Sequence, residues 1–199
     1  MLFLIALLFF QSPDLSGTRH ADPLPSGLAA PVARTLAPGG VRAAVKANTL
    51  TFWWVKQAAA PAWREMPEGT LVGAVKVDRD FRDIRGRVIK AGTYTLRYGI
   101  QPANGDHQGV SPFREFLLLS PVSLDADPAP QTHDALVDLS KATIGGSHPA
   151  AWSLDPPAAT APPLTVQTNE AGHKALVMEV PLAAGTLRFG LILVGKIEV

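Results

Sequence analysis

Histidine beside carboxylate is the pairing in this chain with the most chemistry in it. Asp106 and His107 end an Asn-Gly-Asp-His stretch, His133 is followed by Asp134, and His148 closes Gly-Gly-Ser-His. Imidazole and carboxylate are proper ligands for zinc, iron or copper. Asp106, His107, His133 and His148 could therefore hold a divalent metal, provided that three loops converge at one end of the fold. No pair among them has the i, i+4 spacing that sets two ligands on one helical face. The competing reading is three separate, solvated loops.

The second candidate is aromatic. Trp53, Trp54, Trp63 and Trp152 are all the tryptophans. An exposed indole face can stack on a sugar ring, which makes Trp53, Trp54 and Trp152 candidate carbohydrate-binding residues. Trp53 and Trp54 are neighbours in a strand-like segment, so their side chains must point to opposite faces. The competing reading places every tryptophan in the core or under a loop.

Other chemistry is thin. With Cys 0 there is no disulfide, no thiol nucleophile and no thiolate metal site. Gly-Gly-Ser-His is not the Gly-x-Ser-x-Gly turn that presents a nucleophilic serine. The mixed-charge run 78–87 carries Asp78, Asp80 and Asp83 without the order of a calcium loop, and reads as a solvated hairpin or edge. No Gly-rich loop precedes a helix, so there is no nucleotide fingerprint. A formal net charge of +1 with scattered basic residues argues against nucleic acid. These readings favour a protein that is not an enzyme.

Strands must position whatever site exists. In segment 93–100, Tyr94, Leu96, Tyr98 and Ile100 alternate with Thr93, Thr95, Arg97 and Gly99. That period of two marks a strand with one face in a core. Further strands are expected at 41–46 (an edge strand), 49–56, 70–77, 164–168, 173–180 and 186–194, and at 114–120, whose nearly continuous apolar stretch marks a central strand. One helix is expected over 133–143, capped by Asp134 and ended by Gly145 and Gly146. The proline-rich stretch 147–163 is expected to be mostly loop. Segments 91–100 and 184–191 echo each other in Leu-Arg-aromatic-Gly-aliphatic. Common strand chemistry explains the echo, and the sharper alternative is that Gly99 and Gly190 mark bulges or close backbone approaches.

The N-terminus carries an apolar run, 2–10, too short for a membrane-spanning helix of about 20 residues. Its length suits a secretory signal peptide, so residues 1–12 are expected to be a signal-like segment and the protein secreted or periplasmic, with no stable membrane span after its removal. No Lys or Arg precedes Arg19. Either the terminal amine supplies the positive charge of such a signal, or the true start lies upstream; the competing reading is a buried N-terminal strand. Residues 13–40, rich in Pro and Ala, are expected to form a flexible arm before one domain over 41–199.

Residues 84–96, Ile-Arg-Gly-Arg-Val-Ile-Lys-Ala-Gly-Thr-Tyr-Thr-Leu, resemble a signature of exported bacterial β-sandwich domains of unknown function. Those carry a short strand, a Gly, then Pro or Lys before Ala-Gly-Thr-Tyr-x-Leu. Lys90 stands where Pro is usual, and the loop 101–112 is longer. The resemblance implies an exported sandwich and assigns no catalytic residue. The expectation is an all-β protein, an antiparallel β-sandwich of jelly-roll or Ig-like type with one short helix. Its expected role is to bind a ligand or protein partner through loops at one end. A carbohydrate-binding module and a metal-dependent protein are the alternatives; no cofactor other than that possible divalent metal is expected.

Overall fold

A computed structural model describes residues 14–102 and 113–196. It is all-β and antiparallel. Among the described residues one sheet runs through β1 (Leu15–His20), β2 (Gly40–Val45), β3 (Asn48–Trp54), β4 (Leu71–Val77), β7 (Gly92–Ile100), β8 (Glu115–Pro121), β9 (Ala151–Asp155), β12 (Thr186–Val194), β11 (Lys174–Pro181) and β10 (Val166–Thr168), hydrogen-bonded in that order. A separate two-stranded hairpin, β5 (Phe81–Arg82) with β6 (Val88–Ile89), branches off between β4 and β7. The sheet curls until its first strand meets β11: Lys174 Nζ lies 2.9 Å from Asp14 Oδ2, and Arg19 Nη2 lies 3.3 Å from Glu179 Oε2. No helix among the described residues is long and apolar enough to cross a membrane.

The two-residue rhythm sets the inner face. Tyr94, Leu96 and Tyr98 of β7 share one cluster with Phe52 and Trp54 of β3, Leu117 and Leu119 of β8, Met178 of β11 and Phe189 of β12. The rings interlock: Phe52 stacks on Trp54 with centroids 5.3 Å apart, and Trp54 meets Phe189 edge-on, also at 5.3 Å. Such pairs add to what burial alone contributes.

The outer face of the same strands is buried as well, which alternation alone does not predict. Arg97 and Thr95, on the polar face of β7, are both 0% exposed. Segment 122–131 lies over them. Arg97 Nε and Nη2 each donate to Asp125 at 2.7 Å, and Nη1 donates to the carbonyls of Gly69 (2.7 Å) and Ala129 (2.9 Å). Nη2 also reaches the Asp127 carbonyl. All five N–H donors of the guanidinium are thereby used. Thr95 Oγ1 adds a bond of 2.5 Å to Asp125 Oδ2.

Four expectations need correction. Segment 13–40 is not a loose arm over its described part: Leu15–His20 pairs with β2, and α1 (Ala30–Thr35) buries Val32 completely. Consequently β2 is not an edge, because β1 lies outside it. The described residues hold two α-helices rather than one; α2 (His133–Ile144) has Thr132, not Asp134, as its N-cap, with Gly145 in the left-handed conformation at its end. Finally, 147–163 is mostly loop, but 151–155 within it is a strand. It pairs with β8 through Ala151, Trp152 and Ser153 and with β12 through Leu154 and Asp155. The first part of β9 thus joins one set of strands and its last part the other.

Candidate functional site

Outside the inner core, beside α2, the sheet carries a cavity of about 400 Å³. The helix packs on the outer face of β8. Leu136 makes a small apolar cluster with Phe116, Leu118 and Ala151. Two hydroxyls fix it there: Ser140 Oγ donates to Ala150 O at 2.9 Å and Thr143 Oγ1 to Leu119 O at 2.7 Å. Buried hydroxyls need such partners, and these set the height of the helix over the strands. Leu136 and Val137 line the cavity from the helix, and Ile100, Phe116, Leu118 and Ala151 line it from the strands.

Its polar lining comes from several segments, Gln101 after β7 among them. His133, in the first turn of α2, has Nδ1 2.9 Å from Glu68 Oε1, and the same oxygen accepts the Ile100 N–H at 2.9 Å. Lys141 comes from the last turn of α2 and Ser147 and His148 from the segment after it. Arg85 and Arg87 enter from the β5–β6 turn. That turn is built around Asp83, 5% exposed, whose Oδ1 accepts the N–H groups of Arg85 (3.0 Å) and Arg87 (2.9 Å). An aspartate bonding to backbone just ahead of it is a self-made turn. Gly86, at φ 78°, takes the left-handed position within it.

The two arginines differ. Arg85 Nη2 lies 3.0 Å from Asp83 Oδ2 and donates to Ala151 O at 2.6 Å. Arg87 Nη1 has one long bond, 3.4 Å, to Pro149 O, and among the described residues Arg87 forms no ion pair within 4.0 Å. Partial burial, then the charge of neighbouring Arg85, push its pKa below the ordinary arginine value, against a smaller opposing pull from Asp83.

The expected site residues separate on this geometry. Trp53, Trp54 and Trp152 are 3%, 4% and 2% exposed, so none offers a face to a sugar, and the carbohydrate assignment to them is withdrawn. Trp54 and Trp152 belong to the inner core; Trp53 points outward but lies under segment 20–22, edge-on to His20 and donating to Asp22 O at 3.3 Å. Of the four metal candidates, His133 and His148 line one cavity, while Asp106 and His107 fall outside the described residues. Among the described residues no three His, Asp or Glu side chains gather as a metal site. Missed at the level of sequence were Glu68, Arg85, Arg87 and Lys141. The run 78–87 does contain a hairpin, and the spacing Asp83–Gly86–Arg87 was the available signal, since it encodes that hairpin's tight turn.

Comparison with known proteins adds no relative: the chain matches no family model, no curated protein and no solved structure.

Proposed function

We propose that this protein is a non-enzymatic binding module and that the cavity beside α2 is where its ligand sits. The observation that carries the reading is the construction of that cavity. Its volume, about 400 Å³, falls in the range of roughly 300–1,000 Å³ usual for small-molecule sites. Apolar side chains line it, and a few polar groups converge at its margin. The site is a helix-covered hollow on the side of the sheet rather than a cluster of end loops. Arg85, Arg87 and Lys141 repel a cation there, which favours an uncharged or anionic ligand over a metal held by His133 and His148.

Two further readings go with it. We read the curled sheet as two layers sharing β9 as a corner strand, a sandwich rather than a closed barrel; the split pairing of β9 supports this. We also read the protein as exported, on the apolar run at 2–10. Mass spectrometry of the mature protein tests export directly: an intact N-terminus in the mature chain refutes it.

The binding reading is tested by a ligand-observed NMR screen of chemically diverse small molecules. The control is Val137→Trp, which fills the cavity from the helix side. Binders that lose their signal with the filled variant support the site. A screen without binders, or binders indifferent to Val137→Trp, removes it.

A further inference from the structure

We infer that the cavity takes a monoanionic amphiphile, a small carboxylate with an apolar body, whose head pairs with Arg87 and whose body lies against Phe116, Leu118 and Leu136. This deepens the binding reading of the same cavity and rests on it.

The charge inventory leads to the head group. Among the described residues three cationic side chains, Arg85, Arg87 and Lys141, line the cavity, against one carboxylate, Glu68. Glu68 is engaged by His133 and by the Ile100 N–H. Asp83, 3.0 Å from Arg85, holds that guanidinium in place. Lys141 lies 3.0 Å from Asp138 on the exposed side of the helix. Arg87 is the exception: half-buried, beside a like charge, and joined to Pro149 O by a single long bond. A guanidinium taken partly out of water without a carboxylate has lost hydration and gained little in return. Its planar fork matches a carboxylate in bidentate fashion. The lowered pKa of Arg87 is the same fact seen from the proton's side, because an arriving anion would reverse it.

The apolar body follows from the rest of the lining. Ile100, Phe116, Leu118, Leu136, Val137 and Ala151 present no polar side-chain atom. A free inorganic anion would satisfy Arg87 and leave that surface wet. A neutral apolar molecule would cover the surface and leave Arg87 as it is. A carboxylate on an apolar chain does both.

The measurement uses the full chain, isothermal titration calorimetry, and three probes: decanoate below its micelle concentration, decanol, and inorganic phosphate. Decanoate is expected to bind at least about tenfold more tightly than decanol, since a charge-assisted bond distinguishes them. Arg87→Gln should weaken decanoate about 10- to 100-fold and leave decanol unchanged, whereas Arg87→Lys retains part of the preference. Phosphate alone should bind far more weakly than decanoate. If decanol and decanoate bind equally and both are lost in Val137→Trp, the anion inference fails while the cavity stands as a binding site. If phosphate binds as well as decanoate, the apolar body is refuted. If none of the probes binds, the carboxylate assignment is overturned, and the wider screen then reports separately on the cavity. The decanoate–decanol comparison needs no variant, so it holds even if Arg87→Gln folds poorly.

Discussion

Over Arg97 the outer face of the sheet is closed by bonds that leave no guanidinium donor idle. Over Phe116 and Leu118, one strand further along, the same face is covered by α2 with a hollow beside it. Each region contains an arginine brought in by a neighbouring segment. Arg97 is 0% exposed and holds down segment 122–131 through Asp125 and the carbonyls of Asp127 and Ala129, while also bonding Gly69 O; Arg87 is half-buried and reaches one carbonyl at 3.4 Å. The difference separates an arginine that builds the fold from one the fold positions but does not use. A buried charge whose every donor is taken has no capacity left for a ligand. A half-buried charge with donors to spare has it.

The largest test of this contrast is Asp125→Ala. It strands the Arg97 charge in a dry site and removes the acceptor of Thr95 Oγ1, so the expected loss is about 3–5 kcal/mol of unfolding free energy. Urea titration followed by tryptophan fluorescence reads it, since Trp53, Trp54 and Trp152 are all buried. Replacing both Arg97 and Asp125 by apolar residues should recover part of the loss but not all. The carbonyls of Gly69, Asp127 and Ala129 would each still lose a bond, and only those of Gly69 and Ala129 keep another, from Gln131.

A pair of glycines gives the next effect. A Cβ on Gly190 would stand 2.7 Å from Asp155 O, a backbone atom at the β9–β12 join, so Gly190→Ala should cost about 1–3 kcal/mol. A Cβ on Gly99 would overlap Leu118 Cδ1, the end of a side chain that lines the cavity and has room to swing into it. Gly99→Ala should therefore cost less in the same urea titration while reducing the cavity and its ligand affinity. Equal losses for both would mean that the space beside α2 cannot take up Leu118.

How far the sequence discloses this architecture depends on which face a residue serves. The inner face is legible, because Tyr94, Leu96 and Tyr98, or Leu187, Phe189 and Leu191, alternate with polar neighbours. The outer face is not. The partner of Arg97 lies 28 residues away in a segment with the composition of a linker, so nothing local distinguishes Arg97 from a solvated strand residue. Strand β9 escapes for a related reason: Ala151, Trp152, Ser153 and Leu154 are buried on both faces, and burial on both sides erases alternation. The echo of Gly99 and Gly190 did point to close approaches, but the register shifts fall elsewhere, at 71–73 and 174–175. Of the site, His133 and His148 stand out by residue type, whereas Arg85 and Arg87 are hidden in a charged run whose meaning comes from the Asp83 turn.

A smaller and pH-dependent effect is expected at Asp155, the last residue of β9. Burial raises its pKa above 3.8, countered in part by the Asn169 side chain and His173. A carboxyl with a raised folded pKa contributes stability in acid, below its unfolded pKa, and loses it as pH climbs through the folded value. At pH 7 the ionised group therefore opposes folding. Asp155→Asn should raise the thermal midpoint at pH 7, with the gain shrinking as pH falls toward 3.8. A gain that grows in acid would contradict burial as the cause.

The smallest expected effect bears most directly on the contrast between the two arginines. Arg87→Gln should change unfolding free energy by no more than about 0.5 kcal/mol, the range of substitutions that break no buried network. It gives up one long bond to Pro149 O and relieves repulsion from Arg85, two terms of opposite sign. The urea midpoint should stay within error of the wild type while the preference for decanoate over decanol disappears. A loss as large as that of Asp125→Ala would make Arg87 a structural latch like Arg97. The charge at the cavity would then belong to the fold, and no anion would be needed to account for it.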